Sequence, residues 1–154
     1  MSVPKSVTKI DKNGVTFISS VDRCQYTIRE LTRAALRDVG KFVRREFKTQ
    51  YYTRFHKRTG KGPKAVRYTV FASAKTIYPR IEIGLPQSAP GKPVEGFYSF
   101  FQEVGTSRQP KVGILTNTVK DNVATIVTIE SQYLSALEDE AKALSLINEK
   151  EMEE

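Results

Sequence analysis

The chain has 154 residues, 39% of them hydrophobic, with a single cysteine, a single histidine and a net charge of +8. This length suits one domain with one core, a thin one given that hydrophobic share. Cys24 alone excludes an intrachain disulfide and gives no support for a zinc site or an extracellular disulfide framework, and Met1 to Lys5 lead into no apolar signal-peptide region. No apolar stretch approaches the length of a membrane span, so the sequence predicts a soluble, intracellularly made product with no membrane partner.

The charge is unevenly divided. Residues 1–80 hold 19 Lys+Arg against 5 Asp+Glu, a net +14, whereas residues 81–154 hold 6 against 12, a net −6. A basic half and an acidic half suit nucleic-acid contact by the first, and equally suit head-to-tail packing of identical subunits.

In chain order, Val7–Ile10 and Val15–Ile18 flank Asn13-Gly14, the signature of a hairpin. Cap residues Ser19 and Ser20 precede apolar positions Ile28, Leu31, Ala35, Val39 and Phe42 at three- and four-residue steps, which predicts a long helix over 22–56. Gly40 interrupts it at a cost of about 1 kcal/mol relative to Ala, which a buried face offsets. Arg29, Arg33, Arg37, Lys41 and Arg45 recur every fourth residue as a slowly winding basic stripe.

Residues 59–64, Thr-Gly-Lys-Gly-Pro-Lys, read as a mobile basic loop unable to continue the helix. Runs 65–74 and 77–85 alternate apolar with small or polar residues, as an antiparallel strand pair does. Residues 86–96 carry three Pro and two Gly and read as a second exposed loop. The aromatic cluster Phe97, Tyr98, Phe100 and Phe101 then leads into Glu103-Val104-Gly105-Thr106-Ser107 and a turn near Pro110. From Leu115, the positions Val119, Val123, Ile126, Ile129, Tyr133 and Leu137 predict a second long helix; β-branched Val123 to Ile129 leaves a strand as the alternative. The acidic end of the chain reads as a fraying tail.

These elements make an α+β fold, two long helices packed on a small mostly antiparallel sheet with mobile loops. The organisation is an N-terminal strand or hairpin at 1–21, a single domain at 22–145 and an acidic tail at 146–154.

Catalytic chemistry finds no foothold. His56 lies among basic residues with no orienting carboxylate, no Gly-x-Ser-x-Gly elbow is present, and Cys24 has no reactive-cysteine motif. Glu82, Glu95, Glu103 and Asp121 show no paired spacing for metal or glycosidase work. The loop 59–64 lacks the phosphate-binding Gly-x-x-x-x-Gly-Lys-Ser/Thr spacing. The sequence therefore predicts a non-enzyme without cofactor or metal. Aromatics and bases interleave at Tyr51, Tyr52, Arg54, Phe55, Lys57 and Arg58, as in a nucleic-acid surface, but Tyr51, Tyr52 and Phe55 also continue the helix's core spacing.

The segment Phe97–Ser107 resembles a pattern in the tail-completion, or head–tail joining (neck), proteins of long-tailed phages: an aromatic, a hydrophobic pair, Glu, one residue, then Gly-Thr-Ser. Tyr98, Phe101, Glu103, Gly105, Thr106 and Ser107 carry the match, with Thr59 and Gly60 in support, and the order of parts is similar over about residues 22–140. Where the family places Pro-Phe-Leu-x-Pro-Ala, this chain has Pro110-Lys111-Val112-Gly113-Ile114-Leu115.

The resemblance implies a ring-forming subunit, six-fold, in the virion neck. It would sit between a portal-side connector and the tail tube or tail terminator, with DNA passing through the lumen. Tyr98, Phe101, Glu103, Gly105, Thr106 and Ser107 are then candidates for the subunit or partner interface, Glu103 by pairing with a basic residue, Gly105 by its turn, and Thr106 or Ser107 by satisfying local amides. Arg33, Arg37 and Lys41 of the helix, with Lys57, Arg58, Lys61 and Lys64 of the loop, are candidates for contact with DNA or a partner. The rival readings are a free-standing nucleic-acid binder using the basic helix, and a tail terminator ring.

Overall fold

A computed structural model describes residues 8–55, 61–73, 78–85, 96–139, 142–143 and 145–147. The fold is α+β and is organised on one helix. Strands β1 (Thr8–Lys12) and β2 (Val15–Ser19) precede α1 (Val21–Arg54), a 34-residue helix about 50 Å long. A single helical turn, α2 (Lys61–Lys64), leads into β3 (Arg67–Phe71) and β4 (Arg80–Gly84). Next come α3 (Tyr98–Val104), α4 (Ile114–Asp121), α5 (Val123–Ser135) and a 3-10 turn at Ala136–Glu138, with helical residues again at 142–143 and 145–147.

α1 contains no proline and buries Leu31, Ala34, Ala35, Val39, Val43, Phe47 and Tyr51, a stripe at three- and four-residue steps. It stops where Phe55 turns extended, at φ −123° and ψ 129°. Two apolar clusters lie along it. Near its start, Leu31, Ala34 and Ala35 meet Tyr133 of α5 with Ala143 and Ile147; nearer its end, Phe47 and Tyr51 meet Val66 and Ile114. The Tyr133 hydroxyl donates to Asp38 beside the first cluster.

The strands form two separate two-stranded antiparallel sheets and not one. In β1–β2 the turn is Asn13-Gly14 at φ 53° and 74°, the two positive values that a tight hairpin requires. In β3–β4, Tyr68 faces Ile83 and Val70 faces Ile81, and these half-buried residues alternate with exposed ones. This second sheet lies against α1 at Gly40, where a Cβ would stand 2.7 Å from the Tyr68 ring and 2.8 Å from Ile81 Cδ1. Gly40 thus lets a sheet approach the helix backbone.

The expected second long helix is broken. The Asn122 side-chain amide donates to the Thr118 carbonyl at 2.8 Å, occupying the acceptor that its own backbone N–H would use; that N–H turns to Val119 at 3.3 Å instead. This competition ends α4, and the Ile126 N–H reaching the Asn122 carbonyl at 3.0 Å starts α5. The β-branched run Val123 to Ile129 is helical.

Two further expectations change. Residues 61–64 are not a solvated loop, because Gly62 and Pro63 are buried within α2; His56 to Gly60 and residues 86–95 of the two loops lie outside the described residues. Leu146 and Ile147, expected in the tail, pack on the Tyr133 cluster; residues 148–154 lie outside the described residues.

Candidate functional site

The residues that carry the Gly-Thr-Ser pattern fold as α3, a turn and the start of α4. α3 stands on the far end of α1, where the Tyr51 hydroxyl donates to Gln102 Oε1 at 2.8 Å. Gly62 of α2 fits beneath, since a Cβ there would lie 2.5 Å from the Tyr51 hydroxyl and 2.9 Å from Ser99 Oγ. Gly96, at φ +78°, closes the same packing; a Cβ on it would lie 2.7 Å from both the Lys61 carbonyl oxygen and Ala65 Cβ. Burial pushes the Tyr51 hydroxyl above its ordinary pKa, an effect larger than that of its hydrogen bonds.

Glu103 points to the start of α4. Gly113 occupies the N-cap position at φ 62° and has no side chain with which to cap. Glu103 supplies the missing acceptors: Oε2 takes the Leu115 N–H at 2.8 Å, and Oε1 takes the Thr116 N–H at 2.9 Å and its hydroxyl at 2.7 Å. A carboxylate at a helix N-terminus also opposes the positive end of the helix dipole. Within the chain, three donors of α4 thus engage the carboxylate for which pairing with a basic residue was expected.

Between these helices, Gly105 sits at φ +86°, its N–H bonded to the Phe101 carbonyl at 2.8 Å, and a Cβ there would lie 2.9 Å from the Lys111 nitrogen. The expected turn at Gly105 is present. Thr106 Oγ1 accepts the Gln109 N–H at 3.0 Å and the Arg108 N–H at 3.3 Å, so the local amides go to Thr106, with Ser107 exposed beside it. The returning strand of chain is tied down where the Val112 N–H meets the Gln102 carbonyl at 2.9 Å.

This bracing holds up an apolar face. Phe97, Tyr98, Phe101 and Val104 are exposed, with Phe101 at 44% and Val104 at 54%. The Phe97 and Phe101 rings meet edge to face at 6.1 Å, and Phe100 and Phe101 at 5.8 Å. Of the predicted interface residues, Tyr98 and Phe101 are on this surface, while Glu103, Gly105 and Thr106 build its support. Phe97 and Val104 belong with it because steps of three and four along α3 place them beside Phe101. Gln102 and Thr116 complete the support, and the sequence held no signal for either.

The basic candidates among the described residues differ in exposure. Steps of four advance about 40° per step around a helix, so the stripe winds out of the packed side. Arg33 is half-buried and lies 3.7 Å from Glu30, and Arg37 is half-buried and engaged; Lys41 is exposed and also engaged. The exposed bases of α1 are Lys41, Arg44, Arg45, Lys48 and Arg54, with Arg45 3.3 Å from Glu46 and over the Phe42 ring. Lys61 and Lys64 are exposed at the two ends of α2, and Lys57 and Arg58 lie outside the described residues.

Among the described residues no group of three or more His, Cys, Asp or Glu could hold a metal, and no helix is long and apolar enough to cross a membrane. Compared with protein-family models, curated proteins and solved structures, the chain finds no match.

Proposed function

We propose that this chain is a structural adaptor in phage virion assembly. In this reading it is a ring-forming head–tail connector or tail-completion subunit that joins a portal-side connector to the tail tube around the DNA channel. The observation that supports this most is the α3 surface: the segment resembling the neck-protein pattern presents Phe97, Tyr98, Phe101 and Val104 to solvent. Its underside is fixed by Tyr51, Gln102 and Glu103. A rigidly mounted apolar patch is the kind of surface that buries against another protein.

The division of charge supports closure of a ring, since basic and acidic regions on one chain attract between neighbours arranged head to tail. DNA in the lumen is then met without reading of its bases, by Arg44, Arg45 and Lys48 of α1. The test is docking of the purified chain to connector and tail-tube proteins in the absence of nucleic acid. Phe101→Ser is expected to weaken the complex at least about tenfold, the scale of an interface anchor, while leaving the fold intact. Binding to DNA alone, falling steeply with salt, favours the rival nucleic-acid binder.

A further inference from the structure

The β1–β2 hairpin carries an exposed apolar row. Ile10 and Val15 share one face with Lys12, because Lys12 pairs with Val15 in the register and Ile10 lies two residues away. Val15 is 69% exposed and Ile10 53%. Apart from the pairing of its own two strands, the hairpin has no extensive packing with another described element. A lone two-stranded hairpin is at best marginally stable in water, so an uncovered one calls for a partner.

A second uncovered face lies on α5. Its inner side, with Ile129 and Tyr133, packs on α1. Its outer side carries Val123, Val127 and Leu134, at spacings that align them, and Leu134 is 65% exposed. A helix apolar on both sides belongs in an interior.

We propose that the hairpin of one copy is an arm that lies on the outer face of α5 in the next copy. This rests on the ring reading. Length fits: five-residue strands span about 17 Å, and the eleven-residue step from Val123 to Leu134 spans about 16 Å. Charge fits as well. The stretch Val123–Asp139 holds Glu130, Glu138 and Asp139 and no Lys or Arg, whereas the arm holds Lys9 and Lys12 against Asp11 alone. Lys9 lies 3.7 Å from Asp11, so Lys12, on the apolar face, is the base that meets Glu130. An arm reaching a different patch on its neighbour is a heterologous contact, which repeats until a ring closes.

The experiment uses two full-length variants, an arm variant (I10D with V15D) and a face variant (V127D with L134D), with circular dichroism confirming their folds. By light scattering the wild type is expected to oligomerise and each variant alone to be monomeric. An equimolar mixture is expected to form dimers, because one intact arm meets one intact face. An arm variant that associates like the wild type, a mixture that stays monomeric, or a monomeric wild type overturns the proposal. None of these outcomes depends on the α3 surface, so failure here is distinct from failure to dock connector or tail-tube proteins.

Discussion

Glu103 and Thr116 are joined twice, through the backbone N–H and the hydroxyl of Thr116, both to Glu103 Oε1. With the Leu115 N–H on Oε2, one carboxylate from α3 caps a helix whose own N-cap residue is glycine. Orientation of the α3 surface relative to α4 therefore depends on this side chain.

Glu103→Ala is expected to cost about 1–2 kcal/mol, the scale of a lost helix cap. Glu103→Gln keeps an acceptor oxygen for part of the cap and is expected to cost less. Urea unfolding of the two variants checks the order; equal stability of Glu103→Ala and wild type would remove the capping role.

Gly40→Ala tests the contact of sheet and helix. On helix propensity alone it stabilises by about 1 kcal/mol. The Cβ would meet the Tyr68 ring and Ile81 at under 3 Å, and overpacking of this kind costs about 1–3 kcal/mol. The expected outcome in thermal unfolding is a net loss of stability.

The alkaline limb of stability has a specific contributor. Burial raises the Tyr51 pKa above the ordinary value near 10, so the folded state holds this proton more tightly than the unfolded state. The contribution is fully present below pH 10 and is lost as pH rises through the higher folded-state pKa. Unfolding of wild type and Tyr51→Phe between pH 9 and 11 is expected to show a shallower alkaline decline in the variant, set on a lower baseline from loss of the Gln102 hydrogen bond.

Exposed Phe101 separates docking from folding. Phe101→Ser is expected to change the unfolding midpoint little, because nearly half the residue is already in solvent, while weakening partner docking by at least about tenfold, the scale of an interface anchor. A large stability loss with docking retained would place Phe101 in the core instead.

Periodicity made α1 and both hairpins legible, because long apolar stripes and an Asn-Gly turn are local signals. The break at Asn122 was hidden, since the apolar spacing runs through it and only a side-chain bond to Thr118 interrupts the backbone ladder. Gly40 read as a helix cost, and its purpose depended on Tyr68 and Ile81, 28 and 41 residues further on. In the site, Gly105 and Thr106 were legible from turn chemistry, and the exposed aromatics from their clustering. Glu103 was singled out but its capping role was not, because an acceptor twelve residues from its donor leaves no mark in local sequence.

The most direct test of the adaptor reading is light scattering of the purified chain, alone and mixed with connector and tail-tube proteins, free of nucleic acid and at low and moderate salt. The expected result is a ring or a partner complex of defined mass that forms without DNA. A persistent monomer that ignores those proteins and responds only to added DNA would contradict it.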